Sequence, residues 1–170
     1  MATGREMQLT KRVGEYLVCA ELCRMGFTAT TFAGNVPEFD ILAINDKYQT
    51  KPIQVKAIKG GGWQFDVSKF LDISINDNIQ MVNGKRQLQN PNLICVFVKL
   101  ISQGKDEFYI FRLKDLQNII FRNHDGWLRQ HKGKRPRNPK SMHCAVSPTD
   151  LSKYRDNWEL LKGHEREVVN

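Results

Sequence analysis

The chain has 170 residues, 41% of them hydrophobic, enough for one domain with an ordinary core that needs no disulfide or metal staples. Lysine and arginine number 26 against 18 acids, a formal charge of +8 and a pI near 9.4, which favours a polyanionic partner such as nucleic acid; the bland alternative is a soluble basic protein with a solvated surface. No apolar run reaches the roughly 18 residues of a membrane span and no apolar leader opens the chain, so a soluble, cytoplasmic protein without membrane contact is expected.

The first periodic segment, from about Leu9 to Met25, has helical spacing, with Val13, Leu17 and Ala20 on the expected core face, Thr10 near its start and Gly26 closing it. A short strand is expected over Phe27 to Phe32, a turn over Ala33 to Pro37, and a strand from Phe39 to Ile44. A hairpin connection over Asn45 to Thr50 leads into a third strand, Pro52 to Ile58, which Gly60, Gly61 and Gly62 break off. The pattern is weaker between Trp63 and Gln89, with a return strand or a short helix around Phe65 to Ile75 and a turn at Asn83-Gly84.

Asn92 to Leu100 is a strongly apolar strand, joined by a hairpin over Ser102 to Asp106 to another strand, Glu107 to Leu113. Helical spacing then returns through Leu116, Ile119, Ile120 and Trp127. Arg129 to Lys140 carry six basic residues, no acid and two prolines, and read as a loop. A strand over Met142 to Val146 precedes Ser147-Pro148, the expected start of a last helix running through Leu151, Tyr154 and Trp158 to Leu161. The order predicts an α/β fold with one mixed sheet flanked by helices: a core over residues 1–112 and a helical, basic C-terminal extension over 113–170 packed on it, a single domain overall.

The cysteines at 19, 23, 95 and 144 lack the paired short spacings of a zinc site. Cys95, inside an apolar strand, is expected in the core, and Cys19 and Cys23, one helical turn apart, are two ligands rather than a cluster. His124, His131, His143 and His164 show no pairing that suggests a metal or a general base.

The chemistry concentrates in the second and third strands. Gln54 and Lys56 are two apart on an extended run and share a face, while Ile53, Val55 and Ala57 point the other way. A hairpin of this length returns its first residue, Asp40, beside Gln54 and Lys56. An acid ahead of four apolar residues and a lysine within an apolar strand are costly unless they share a wet, functional cleft. Taken singly, each has a bland alternative: Glu15 as a solvated helix residue, Asp40 as a turn acid, Lys56 as a snorkelling edge lysine.

Phosphodiester hydrolysis uses what this group offers. A divalent cation neutralises charge on the transition state and acidifies a bound water. Mg²⁺ (or Mn²⁺) takes hard oxygens and keeps several waters. Asp40 supplies a carboxylate, Gln54 an amide oxygen and Val55 its backbone carbonyl; Lys56 orients the attacking water, and Glu15 on the first helix reaches toward the cation's waters or a second ion. Around them, Lys59 and Trp63 flank the glycine run, with Trp63 able to stack on bases. Arg129, Lys132, Lys134, Arg135, Arg137 and Lys140 are candidates for DNA-backbone contacts. Residues 113–170 hold 12 basic and 7 acidic residues, against 14 and 11 in residues 1–112, so the C-terminal third carries more of the excess.

Gly14-Glu15, Glu21-Leu22, Gly26-Phe27, Glu38-Phe39-Asp40-Ile41-Leu42 and Ile53-Gln54-Val55-Lys56 together resemble the PD-(D/E)xK nuclease superfamily over the first 60 residues or so. The resemblance implies a restriction-endonuclease-like fold, with Asp40 as metal-binding aspartate, Lys56 as catalytic lysine and Glu15 as helix glutamate. Gln54 departs from the acid of that pattern; the Gln-x-Lys form is similar to some intron-encoded homing endonucleases and restriction-like enzymes, and the arrangement to archaeal Holliday-junction resolvases. It implies a Mg²⁺-dependent endonuclease on duplex or branched DNA, working as a homodimer or higher symmetric assembly because two strands need two sites. The neutral Gln54 leaves open a catalytically weak or inactive nucleic-acid-binding protein.

Overall fold

The computed structural model describes residues 4–32 and 38–162; the turn expected over Ala33 to Pro37, and His164, lie outside them. Helix α1 (Gly4–Arg24) is followed by strands β1 (Thr28–Thr31), β2 (Ile41–Ile44) and β3 (Thr50–Ile58). Then come β4 (Trp63–Asp66), a 3₁₀ turn at Val67–Lys69, and the hairpin β5 (Leu71–Asn76) and β6 (Ile79–Lys85). Strands β7 (Ile94–Lys99) and β8 (Glu107–Arg112), helix α2 (Leu113–Gln130), β9 (His143–Val146), a 3₁₀ turn at Ser152–Tyr154 and the short α3 (Glu159–Lys162) complete the described chain.

The main sheet is mixed, in the order β1-β2-β3-β7-β8. Its pairs are antiparallel except β3 with β7, which run parallel with Gln54 beside Cys95 and Lys56 beside Phe97. Because side chains alternate along a strand, this register divides the core in two. Ile53 and Val55 face Val18 and Leu22 of α1, with Val96, Val98, Ile110 and Leu161 completing that layer. Cys95, Phe97 and Phe111 face the other way, against Trp63 and Phe65 of β4, Cys144 and Val146 of β9, and Leu116, Ile119 and Ile120 of α2. The mixed α/β architecture and the buried place of Cys95 match the sequence, as does the strand expected over Met142 to Val146, which is β9 and returns to pair with β4. Among the described residues no helix is long and apolar enough to cross a membrane.

Helix α1 begins five residues earlier than its periodicity suggested and buries a different face. Gly14, Glu15, Val18 and Leu22 are buried, while Val13 and Ala20 are exposed. The cause is Gly14: a Cβ added there would stand 2.5 Å from the Ala57 Cβ. The bare glycine face is therefore what meets β3, and the apolar ridge through Val13 is turned to solvent. Gly14→Ala forces helix and sheet apart and is expected to cost about 1–3 kcal/mol, a fall in midpoint that urea denaturation reads directly.

Two turns also differ. The β5–β6 hairpin reverses at Asp77-Asn78, whose φ values of 50° and 63° suit the primed turn of a two-residue hairpin. Asn83-Gly84 instead lies inside β6, where the register shifts between Asp72 and Ile73 and one residue bulges out. The expected last helix is broken. Asp156 (φ 51°) donates its backbone N–H to the Phe108 carbonyl, and Asn157 Nδ2 donates to the Ile110 carbonyl, so the edge of β8 captures the segment that would have continued the helix.

Candidate active site

Strand β2 starts at Ile41, opposite Ile53, so the β3 edge beyond Ile53 has no β2 partner. Asp40 fills that position. Its backbone N–H donates to the Ile53 carbonyl (2.9 Å), and its Oδ2 accepts from the Val55 N–H (2.9 Å) and from Gln54 Nε2 (2.6 Å). A carboxylate only accepts, so the Gln54 amide must turn its NH₂ toward Asp40 and its Oε1 away, where it is free to accept or to ligate. The N–H and C=O of one extended residue point to the same side, so the Val55 carbonyl faces the same open edge.

Lys56 emerges on the other face of β3 from Val55 and reaches over Phe65, its Nζ 5.5 Å from the ring centroid. Its backbone carbonyl accepts from the Trp63 indole N–H at 3.2 Å. Burial beside the aromatic layer pushes the Lys56 ammonium below its ordinary pKa, against the pull of the Asp40 carboxylate in the other direction. Asp40, Gln54, Val55 and Lys56 line one cleft of about 330 Å³, together with Lys11, Gly62, Trp63 and Gln64. The three expected strand residues and the Val55 backbone thus come together.

Glu15 does not line that cleft. It is 2% exposed and bound from its own helix: Arg12 Nη1 donates to its Oε2 at 3.0 Å and Lys11 Nζ stands 3.5 Å from its Oε1. Lys11 also reaches Asp40 Oδ1 at 3.1 Å, so one ammonium bridges both carboxylates. Arg12 donates further to the Phe32 carbonyl (3.3 Å). Lys11 and Arg12 were not singled out from the sequence; the signal was there in their spacing, four and three residues before Glu15 on the same helical face.

Could the site hold a divalent cation? Its donors are hard oxygens: one Asp40 carboxylate oxygen, Gln54 Oε1 and the Val55 carbonyl. One carboxylate with neutral oxygens suits Mg²⁺, which retains most of its water. The Lys11 ammonium between Asp40 and Glu15 marks where positive charge is stabilised. The described residues form no group of three or more His, Cys, Asp or Glu that could hold a metal. Lys11 is 52% exposed on a flexible stem and can swing out without disturbing the core.

Two expected DNA contacts are engaged within the protein's own packing. Trp63 is 2% exposed, with its ring 5.1 Å from Phe97 and 5.8 Å from Tyr109, so it cannot stack on a base without leaving the core. Arg135 is half-buried and turned to the protein: it donates to the His143 carbonyl (2.8 Å), contacts His124 Nδ1 (3.0 Å) and lies over the Trp127 ring. Lys59, Lys132, Lys134, Arg137 and Lys140 are exposed. Arg129 is exposed too but paired with Asp125 at 2.7 Å.

No family model matches the chain, and no curated protein matches its sequence. Among solved structures, one of a bacterial homing endonuclease is similar to it, with 15% identity over 91% of each chain and a TM-score of 0.45.

Proposed function

We propose that this protein is a divalent-cation-dependent DNA endonuclease, a Gln-x-Lys variant of the PD-(D/E)xK type, with Asp40, Gln54, the Val55 carbonyl and Lys56 at its centre. The observation that carries it is the pinning of Asp40 Oδ2 by the Gln54 amide and the Val55 N–H, in the cleft that Lys56 also lines. Asp40 Oδ1, Gln54 Oε1 and the Val55 carbonyl would hold a hydrated Mg²⁺ or Mn²⁺. When bound, the cation supplies charge neutralisation at the scissile phosphate and a water of lowered pKa.

The protein's own groups do the rest. Lys56, whose ammonium desolvation makes a readier proton donor, donates hydrogen bonds to the attacking water and to a phosphate oxygen, fixing their line of approach. Glu15 acts at one remove: it anchors Lys11 and Arg12, and through Lys11 sets the charge felt by Asp40. Attack in line with the 3′-oxygen leaves a 5′-phosphate. Lys59 at the end of β3 and the exposed Lys132, Lys134, Arg137 and Lys140 provide charge for the DNA backbone. Cutting both strands of a duplex calls for two copies of the chain.

Plasmid and four-way-junction DNA incubated with Mg²⁺ or Mn²⁺ test this directly. Nicking that depends on the cation supports the proposal; DNA shifted in a gel but never cut under any condition sinks it. A second reading, a nucleic-acid-binding protein with little or no activity, is favoured by one observation, the Lys11 ammonium lying between the two carboxylates. The two readings part at Lys11→Met. If Lys11 merely competes with the cation, its removal raises Mn²⁺ affinity about tenfold by calorimetry, because a unit charge a few ångströms away is lost. Unchanged Mn²⁺ binding would show that the ammonium is no competitor.

A further inference from the structure

Helix α1 has two apolar faces, and the sheet covers one of them. Gly14, Val18 and Leu22 are buried, whereas Leu9, Val13, Tyr16, Ala20 and Cys23 are exposed. Leu9 is 54%, Val13 44% and Tyr16 60% exposed. These five stand four, three, four and three residues apart, so they form one stripe opposite the buried face. Single apolar residues on a surface are ordinary. Five in register over about four turns, with no charge among them in a chain that is 26% charged, make a face. A mean spacing of 3.5 residues is what keeps one helix seated along another. The stripe also selects the helix that fits it, because its bulk falls from the N-terminal to the C-terminal end. In a parallel pair of identical helices, Tyr16 meets Tyr16 and Ala20 meets Ala20, layers too unequal in width for one helix separation. Turned antiparallel, the layers are Leu9 against Ala20 and Val13 against Tyr16, a larger residue against a smaller one each time. The flanking positions then bring Thr10 to Leu17 and Arg12 to Cys19, so no like charges meet, and the helix dipoles oppose.

We propose that the outer face of α1 is the contact between two copies of this chain, packed antiparallel about a twofold axis that passes between Val13 and Tyr16. The contact rests on the helix alone; its use in cutting rests on the nuclease reading, in which two strands need two sites. Lys11, which lines the cleft, lies on the other side of the same helix, so pairing couples the two clefts through one rigid element. A seam of this length covers less than the roughly 1,200 Å² at which stable interfaces begin, so the free dimer is weak, with a Kd of about 10 µM. Two sites on one DNA raise the effective concentration and strengthen it.

Sedimentation equilibrium without DNA is the first test. The wild type is expected to pass from monomer to dimer between about 1 and 100 µM, and Tyr16→Glu to stay monomeric throughout. Because Tyr16 is exposed, the melting temperature of that variant should match the wild type. A wild type still monomeric at about 500 µM overturns the proposal, as does a Tyr16→Glu protein that dimerises equally well. Orientation is read by oxidation in a Cys19→Ser, Cys23→Ser background. Leu9→Cys and Ala20→Cys proteins are expected to form a disulfide-linked dimer when mixed and none when each is oxidised alone. Linkage within either variant alone, or none in the mixture, overturns the antiparallel pairing. Plasmid DNA with Mg²⁺ then separates the face from the nuclease reading. Tyr16→Glu is expected to nick one strand without linearising the plasmid. Dimers that cut nothing remove the nuclease and leave the face; double-strand cutting that Tyr16→Glu does not alter removes the face and leaves the nuclease.

Discussion

Lys56→Ala is expected to slow phosphodiester cleavage by about 10²–10³-fold while leaving divalent-cation binding intact, whereas Asp40→Ala is expected to abolish both. The difference follows from what each side chain touches. Lys56 reaches across Phe65 into the cleft and makes no hydrogen bond to Asp40 or Gln54 among those the structure shows, so its loss removes a donor to the reacting groups and one cation–π contact. Asp40 organises the whole edge. Without it the Val55 N–H and the Gln54 amide lose their common acceptor, Lys11 loses its stronger partner, and Gln54 Oε1 is no longer held outward. Single-turnover cleavage of plasmid DNA gives the rate, and calorimetry with Mn²⁺ gives the affinity. A Lys56→Ala protein that cuts at the wild-type rate would remove Lys56 from the chemistry. An Asp40→Ala protein that still binds Mn²⁺ as tightly would move the cation elsewhere. Thermal melts of both variants separate these effects from misfolding, since neither residue sits in either hydrophobic layer.

What made Asp40, Gln54 and Lys56 legible is the period-two geometry of strands, which is local and rigid. Once Pro52 to Ile58 is a strand and Asp40 heads its neighbour, their meeting follows from register. The helical side was less legible. A period of 3.6 shows which residues share a face but not which face turns inward, and the close approach at Gly14 chose the face bearing Glu15 over the ridge bearing Val13. The same rotation carried Lys11 and Arg12 to the carboxylates. Trp63 and Arg135 are engaged within the fold for a tertiary reason. Strand β9 returns from residue 143 to pair with β4, and that return buries Trp63 and gives Arg135 the His143 carbonyl to bind. No sequence pattern near residue 63 announces a partner 80 residues away. The lysines of the same loop are exposed, Lys134 pairing with Ile79 only through its backbone, and their basic character survives as surface charge.

Acid is expected to destabilise this protein through His124, and the arrangement fixes the sign. His124 is 1% exposed on α2, and burial first, then the Arg135 guanidinium, pull its pKa down to about 4, with Asp125 opposing them weakly. Arg135 can only donate, so His124 Nδ1 must accept at 3.0 Å and the ring proton sits on Nε2, which has no partner in the structure. Protonating Nδ1 sets donor against donor and puts an imidazolium beside a guanidinium. In the unfolded chain the same ring titrates near its ordinary 6.5, so between about 6.5 and 4 the unfolded state binds more protons than the folded one. The contribution of His124 is thus fully present above pH 6.5, is lost progressively as the pH falls toward 4, and is flat below. A shift of that size corresponds to about 3 kcal/mol. Carboxylates elsewhere also respond to acid, so the informative quantity is the difference between wild type and His124→Gln in urea denaturation at several pH values. That difference is expected to change by about 3 kcal/mol across the window, in the direction of relative loss for the wild type. Parallel stability curves would refute the assignment, and an NMR titration of the His124 ring gives the folded pKa independently of any variant. Protonation of His124 strains only the Arg135 tie of the basic loop, since Gln80 still holds it through the Pro139 and Ser141 carbonyls and Ile79 pairs with Lys134; limited proteolysis within the loop is therefore expected to rise only modestly at acid pH before the main sheet unfolds.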